Sequence, residues 1–115
     1  MEIQKRMENG ILIVTLDGRM DAEGTRKFQE ASQTWQTAPV ILDLSRLDYI
    51  CSSALRELLH LKRNAEKNGE MMVLSGSSGL VDRILEVSGF DTIFPRFLSV
   101  PDALGACTVR AGPMK

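Results

Sequence analysis

The sequence is poor in the residues that build disulfides, metal sites and membrane spans. It has 2 cysteines and 1 histidine in 115 residues, and Cys51 and Cys107 do not form a CxxC pair. A zinc site therefore lacks ligands, no metal site is expected, and two reduced thiols are the simplest interpretation. No apolar run is longer than that of residues 11–14, whereas a helix that spans a bilayer needs about 20 apolar residues.

No excess of one charge sign is present either. Lys and Arg number 14, Asp and Glu number 15, and the net charge is -1. The chain thus lacks the basic field that recruits nucleic acid or an anionic membrane. The first ten residues are polar and charged, unlike a secretory signal, so we expect a cytoplasmic protein. The length suits one domain, which we predict over residues 1–110, with a disordered tail at 111–115.

The remaining pattern is an alternation of strands and helices. Asn9-Gly10 predicts a type I′ hairpin turn, and buried strands are predicted at residues 11–16, 40–44 and 71–74, the first ending at Asp17-Gly18. A short apolar segment near residues 93–98 precedes the last helix. Strands separated by helices pair in parallel through right-handed crossovers. The predicted fold is α/β, with a mixed, mostly parallel sheet, an N-terminal antiparallel hairpin and about four helices.

Helix signals fill the gaps between these strands. Asp21 is a good N-cap for the first helix, and the second runs from about residue 52 to 67. Ser77 or Ser78 can cap the third, which Gly89 follows, and Ser99 opens the last. We expect the core-facing positions of the first and third helices to be Phe28, Ala31, Ser32 and Trp35, and Leu80, Val81, Ile84 and Leu85.

Ser52 and Ser53 stand where the second helix begins. The positive end of a helix dipole favours an anion, so a phosphate on Ser53 can be accommodated there. It would add about -1.5 to -2 charges at neutral pH. The simpler interpretation is that Ser52 or Ser53 only caps the helix.

Three groups of short motifs give the chain a family resemblance between residues 10 and about 104. It resembles a STAS domain of the bacterial anti-sigma factor antagonist family. The turn after the first buried strand is similar to the family's G-x-hydrophobic-D, the middle group to its D-L-S and D-S-S-G-L, and the last to its S-G-hydrophobic exit. The matching residues are Asp17-Gly18-Arg19-Met20-Asp21, Leu42-Asp43-Leu44-Ser45 with Cys51-Ser52-Ser53-Ala54-Leu55, and Ser88-Gly89-Phe90.

The resemblance implies a regulator without catalytic activity or cofactor. Such proteins bind a kinase-type anti-sigma factor and so free a sigma factor. The kinase phosphorylates the second serine of the motif, which breaks the complex, and a phosphatase restores it. That serine is Ser53 here. We expect the partner-binding surface to comprise Arg19, Asp21, Ser52, Ser53 and Arg56; the oligomeric state stays open.

Two residues depart from the family motif. Cys51 replaces an aspartate, which removes a carboxylate beside the phosphoacceptor. Ala54 replaces a glycine, which leaves less room for the close approach of another backbone while favouring the helix. Cys51 is also a possible redox residue, because a thiol at a helix N-terminus can have a lowered pKa; an inert, packed thiol is the alternative.

Two other functions remain open. The chain can be a STAS scaffold subunit of a sensor or transporter assembly, without a phosphorylation switch. It can also be a small nucleotide-binding α/β protein that uses the loop at residues 75–79, although this loop lacks the lysine of a P-loop. His60 is expected to be a solvated surface residue.

Overall fold

Strands and helices alternate along the chain in the predicted order. The structure, a computed structural model, describes residues 1–35 and 38–111, except for the side chains of 108–111. In that part, five strands form one sheet in sequential order; β1 is antiparallel to β2 and the other pairs are parallel, so the predicted fold class is confirmed. The strands are β1 Glu2–Glu8, β2 Ile11–Met20, β3 Val40–Ile50, β4 Met72–Ser75 and β5 Arg96–Phe97, and the helices are α1 Ala22–Ala31, α2 Ser52–Lys67, α3 Gly79–Val87 and α4 Val100–Ala111.

The hairpin between β1 and β2 forms as predicted. Asn9 and Gly10 have φ angles of 55° and 78°, the left-handed values that a type I′ turn requires at both central positions. Glu8 therefore pairs directly with Ile11.

The two faces of the sheet carry separate hydrophobic cores. Side chains alternate along each strand, so Val14, Leu42 and Leu74 face a larger core that α1, α2 and α3 cover. On the opposite face, Ile13 and Ile41 belong to a smaller core. There α4 supplies the buried residues Ala103 and Cys107.

The end of α1 differs from its predicted pattern. Phe28, Ser32 and Trp35 are buried as expected, but Trp35 follows a short 3₁₀ turn, Ser32–Thr34, and does not lie on the helix. Its ring meets that of Phe28 edge to face, with centroids 5.4 Å apart at 81°. This favourable aromatic geometry holds the residues after α1 against the larger core.

Strands β2 and β3 are both longer than the sequence pattern predicts. Asp17-Gly18 does not end β2; the register shifts there, and Gly18 takes a φ of 115° that suits a bulge. Since β4 pairs only with residues 40–43 of β3, the later residues of β3 pair with β2 alone. We call residues 17–20 and 46–50 the two-stranded extension.

The second half of the chain confirms some helix signals and corrects others. Ser78 is at the N-cap position of α3 but makes no capping hydrogen bond with its side chain. Leu80, expected in the core, is 53% exposed, because Val81 and Leu85 form the buried face. Gly89 has a φ of 81° after α3, as predicted.

The last helix begins at the predicted cap. The Ser99 Oγ accepts a hydrogen bond from the Asp102 amide at 3.3 Å. Of the predicted tail, Ala111 is the last residue of α4 and the others lie outside the described residues. None of the helices in the described ranges has the length and apolar character needed to cross a membrane.

Candidate partner-binding site

The two-stranded extension places the first turns of α1 and α2 side by side. Met20 pairs with Ile50 across the parallel strands, and the Cys51 amide donates to the Met20 carbonyl at 3.0 Å. Asp21, which follows β2, and the serine pair, which follows β3, consequently lie at the same edge of the sheet. The structure thus brings together the two predicted halves of the surface.

Asp21 caps α1 as predicted. Its Oδ1 accepts a hydrogen bond from the Gly24 amide at 2.9 Å. That amide holds the pKa of the Asp21 carboxyl below its ordinary value of 3.8; desolvation opposes this effect, and the charge of Arg19 adds to it. Asp21 is therefore a charged, exposed carboxylate at neutral pH, available to a basic group of a partner.

Gly24 makes the turn into α1 possible. A Cβ at this position would lie 2.7 Å from the Arg19 carbonyl oxygen, closer than a side chain can approach a backbone. The glycine that weakens the helix pattern in the sequence is required by this contact.

Arg19 is exposed, and its side chain packs on Tyr49 of the neighbouring strand β3. Its guanidinium carbon lies 4.5 Å from the centre of the half-buried Tyr49 ring, within the range of a cation–π interaction. Sequence reasoning missed Tyr49 because the two residues become neighbours only through the extension. The only sequence signal for the pair was the polar and apolar alternation after Leu44.

The serine pair does not cap α2. Cys51 is at the N-cap position and Ser52 is the first helical residue, so the capping interpretation of the serines is wrong. Ser52 is exposed, and its hydroxyl makes no hydrogen bond within the described part of the chain. Ser53 is half-buried, and its Oγ lies 3.1 Å from the Cys51 Sγ.

Cys51 connects the two helix starts. Its Sγ lies 3.6 Å from the Thr25 Oγ1 on α1. Burial raises the pKa of the Cys51 thiol, but the Ser53 hydroxyl and the Ala54 amide help to lower it below the ordinary value of 9.0. The redox role of Cys51 stays a hypothesis.

A disulfide between the two cysteines does not fit this arrangement. Cys107 is buried in the smaller core, whereas Cys51 packs against the larger core on the opposite face of the sheet.

Ala54 and Arg56 of α2 have distinct environments. Ala54 is fully buried, and its methyl group packs in the larger core. Arg56, one turn into α2, is exposed, and its side chain has no hydrogen bond or ion pair among the described residues. It is therefore available to a carboxylate of a partner.

The loop at residues 75–79 is less suited to phosphate. Ser77 donates to the Asp82 Oδ1 at 2.7 Å, and Arg96 binds the same oxygen. The first turn of α3 thus already holds a carboxylate of the chain itself, which would repel a phosphate. His60 is exposed as expected and lies beside Asn64. Across the described residues, no group of three His, Cys, Asp or Glu side chains is placed to hold a metal ion.

The fold is that of a small α/β domain with a mixed five-stranded sheet in the described residues. A family model described as "Mlab, STAS domain" matches residues 3–99, which is most of the chain. The chain therefore belongs to the STAS domain family. This family is not one of enzymes, and the chain is not an enzyme.

Two relatives of similar sequence support this assignment. The chain is 33% identical over 111 residues to the anti-sigma F factor antagonist of Paenibacillus polymyxa, covering 90% of this chain and 94% of the relative. It is 34% identical over 91 residues to BtrV of Bordetella bronchiseptica, covering 76% and 78% of the two chains.

The fold is shared with the solved anti-sigma factor antagonist SpoIIAA in its unphosphorylated form. The TM-score is 0.79 at 18% identity, covering 99% of this chain and 100% of that one. The phosphorylated form of the Bacillus protein SpoIIAA matches with a TM-score of 0.71 at 19% identity, covering 91% and 98%.

Proposed function

We propose that this chain is an anti-sigma factor antagonist that binds an anti-sigma factor serine kinase and is switched by phosphorylation of Ser53. A phosphatase returns it to the binding state. The binding surface consists of Arg19, Asp21, Ser52, Ser53 and Arg56, which we call the switch surface. The name of the Paenibacillus polymyxa relative supports this assignment, as does the fold shared with the solved phosphorylated form of SpoIIAA.

The observation that carries the proposal is the position of the Ser53 hydroxyl. It lies in the first turn of α2, half-buried and not engaged in capping the helix. Serines that cap a helix commit their oxygen to a backbone amide. Ser53 interacts with a thiol instead, so its oxygen can accept a phosphoryl group without loss of a cap.

Phosphorylation at this position would change the charge of the switch surface. A phosphate adds about -1.5 to -2 charges at neutral pH, and the N-terminal amides of α2 stabilise it there. Unmodified, the surface presents the exposed charges of Asp21 and Arg56. Added negative charge repels acidic groups of a partner and resists desolvation, so the complex dissociates while the fold persists.

The replacement of the motif's aspartate by Cys51 affects recognition by the kinase more than it affects the phosphorylation switch at Ser53. Cys51 is half-buried and lies between α1 and α2, so a kinase that recognises this chain meets a thiol where the family motif has a carboxylate. Phosphate on Ser53 consequently faces less local negative charge than it would beside an aspartate.

A phosphorylation assay tests the proposal. The purified chain is incubated with ATP and a lysate of its source cells, and its peptides are analysed by mass spectrometry. Wild type and Ser52→Ala should carry phosphate on the helix α2 peptide, and Ser53→Ala should not. A wild-type chain that stays unmodified, while an antagonist added as a positive control is phosphorylated, would instead favour the STAS scaffold without a switch.

A further inference from the structure

A row of hydrogen bonds links Ser53 to the start of α1. The Thr25 hydroxyl donates to the Asp21 carbonyl oxygen at 2.7 Å. The Thr25 Oγ1 lies 3.6 Å from the Cys51 Sγ, which lies 3.1 Å from the Ser53 Oγ. The row thus crosses from one helix to the other and ends at the proposed phosphoacceptor.

Counting protons fixes the direction of every bond in this row. A hydroxyl and a thiol each carry one proton. Thr25 gives its proton to Asp21, so it can only accept from the Cys51 thiol. The thiol proton is then committed, and the Ser53 hydroxyl must donate to the Cys51 Sγ. The Ser53 hydroxyl is therefore held through the hydrogen bond that it donates. The lone pairs of its oxygen remain available to form a bond.

We propose that Cys51 and Thr25 are positioning residues that hold the Ser53 hydroxyl in one orientation for phosphoryl transfer. This inference rests on the proposed function. In the phosphorylation step, the Ser53 oxygen forms a bond to the γ-phosphorus of ATP and the bond from that phosphorus to ADP breaks. The hydroxyl proton leaves its hydrogen bond with Cys51 and passes to a base of the kinase. Cys51 keeps its own proton and acts only on the direction of the hydroxyl.

The burial of the row suits a positioning role. Thr25 is 8% exposed and its amide also donates to the Asp21 carbonyl at 2.8 Å, so both its backbone and its side chain are held. Cys51 is half-buried between the helices. A half-buried hydroxyl bonded to a fixed partner loses less conformational freedom on binding than an exposed one. Ser52, exposed and one residue earlier, lacks this support and serves as the matched control.

Alkylation of Cys51 by iodoacetamide tests the Ser53–Cys51 bond without a kinase. A donor to the sulfur stabilises the thiolate, so Ser53→Ala should raise the pH midpoint of alkylation and lower the rate several-fold at neutral pH, whereas Ser52→Ala should change neither. The plateau rate at high pH reports access to the thiol separately from the midpoint. Equal midpoints in wild type and Ser53→Ala would overturn the bond on which the proposal rests.

The orientation of Ser53 is measured by NMR in the same chains. The three-bond Hα–Hβ couplings of Ser53 should correspond to one rotamer in wild type and to averaged rotamers in Cys51→Ala and Thr25→Val. Cys51→Ser, which retains a donor and an acceptor, should restore one rotamer. Averaged couplings in the folded wild type would contradict the positioning role.

Phosphorylation kinetics complete the test. With the kinase that modifies wild type, Cys51→Ala should lower kcat several-fold with little change in KM, and Cys51→Ser should recover most of it. An unchanged kcat in Cys51→Ala would overturn the proposal. If Ser53 is never phosphorylated, the proposed function fails, while the alkylation and NMR measurements still decide whether Cys51 and Thr25 hold the hydroxyl.

Discussion

The Arg19 guanidinium carbon lies 4.5 Å from the centre of the Tyr49 ring, across the two-stranded extension. The ring restricts a long, exposed side chain at the switch surface and so lowers the entropy that Arg19 loses on binding. Tyr49→Leu should weaken partner binding by about 0.5–1 kcal/mol, or roughly two- to fivefold in Kd. Tyr49→Phe keeps the ring and should bind as wild type does. Isothermal titration with the purified partner measures both, and equal loss in the two variants would show that the hydroxyl, not the ring, matters.

Arg56 is the second basic contact of the switch surface. Because it has no partner of its own among the described residues, Arg56→Glu should weaken binding by about 1.5–3 kcal/mol, the range for hydrogen bonds to charged groups. Arg63→Glu, on an exposed position two turns further along α2, makes the same charge change away from the surface and is the control. Equal affinities of the two variants would remove Arg56 from the interface; circular dichroism checks that both remain folded.

The close contact at Gly24 predicts that Gly24→Ala and Gly105→Ala change the stability of the fold in opposite directions. Gly24→Ala should lower the free energy of unfolding by about 1–3 kcal/mol, because its Cβ meets the Arg19 carbonyl oxygen. Gly105→Ala in α4 meets nothing within 4 Å and should stabilise by up to about 1 kcal/mol. Urea denaturation separates the two effects; a neutral Gly24→Ala would mean that β2 and α1 are not this close.

The lowered pKa of Asp21 predicts a pH-dependent part of stability. A carboxyl whose pKa is lower in the folded state stabilises the fold above its unfolded pKa, and this contribution is lost as the pH falls through the folded pKa. The advantage of wild type over Asp21→Asn should thus be complete at neutral pH and shrink below pH 3.8. Asparagine is itself a good N-cap, so this comparison isolates the charge. Parallel urea titrations at neutral and acidic pH test it, and a constant difference would argue against the charged cap.

The sequence predicted those features that depend on near neighbours. Asn9-Gly10, the Asp21 cap and Gly89 each act within a few residues, and each is found in the structure. The predicted halves of the switch surface also meet, because parallel strands end at the same edge of a sheet.

The features that sequence reasoning missed depend on contacts between distant segments. The residues after Leu44 belong to β3 because β2 pairs with them, and their polar and apolar alternation does not by itself indicate that pairing. Thr25 and Tyr49 were not predicted because their partners, Cys51 and Arg19, come from other elements. The motif indicated Ser53 as a candidate, but only the structure shows its hydrogen bond to the Cys51 thiol.

The central claim is that phosphorylation of Ser53 switches partner binding, and affinity capture from source cells tests it most directly. The baits are wild type, Ser53→Asp and Ser52→Asp. Ser52→Asp is the control, because it adds the same charge at the neighbouring exposed serine. The account predicts that an anti-sigma kinase of the GHKL type is recovered with wild type, is retained at least in part by Ser52→Asp, and is lost with Ser53→Asp. Equal recovery of the same partners by wild type and Ser53→Asp would contradict it, since Ser53 would then not be the switch.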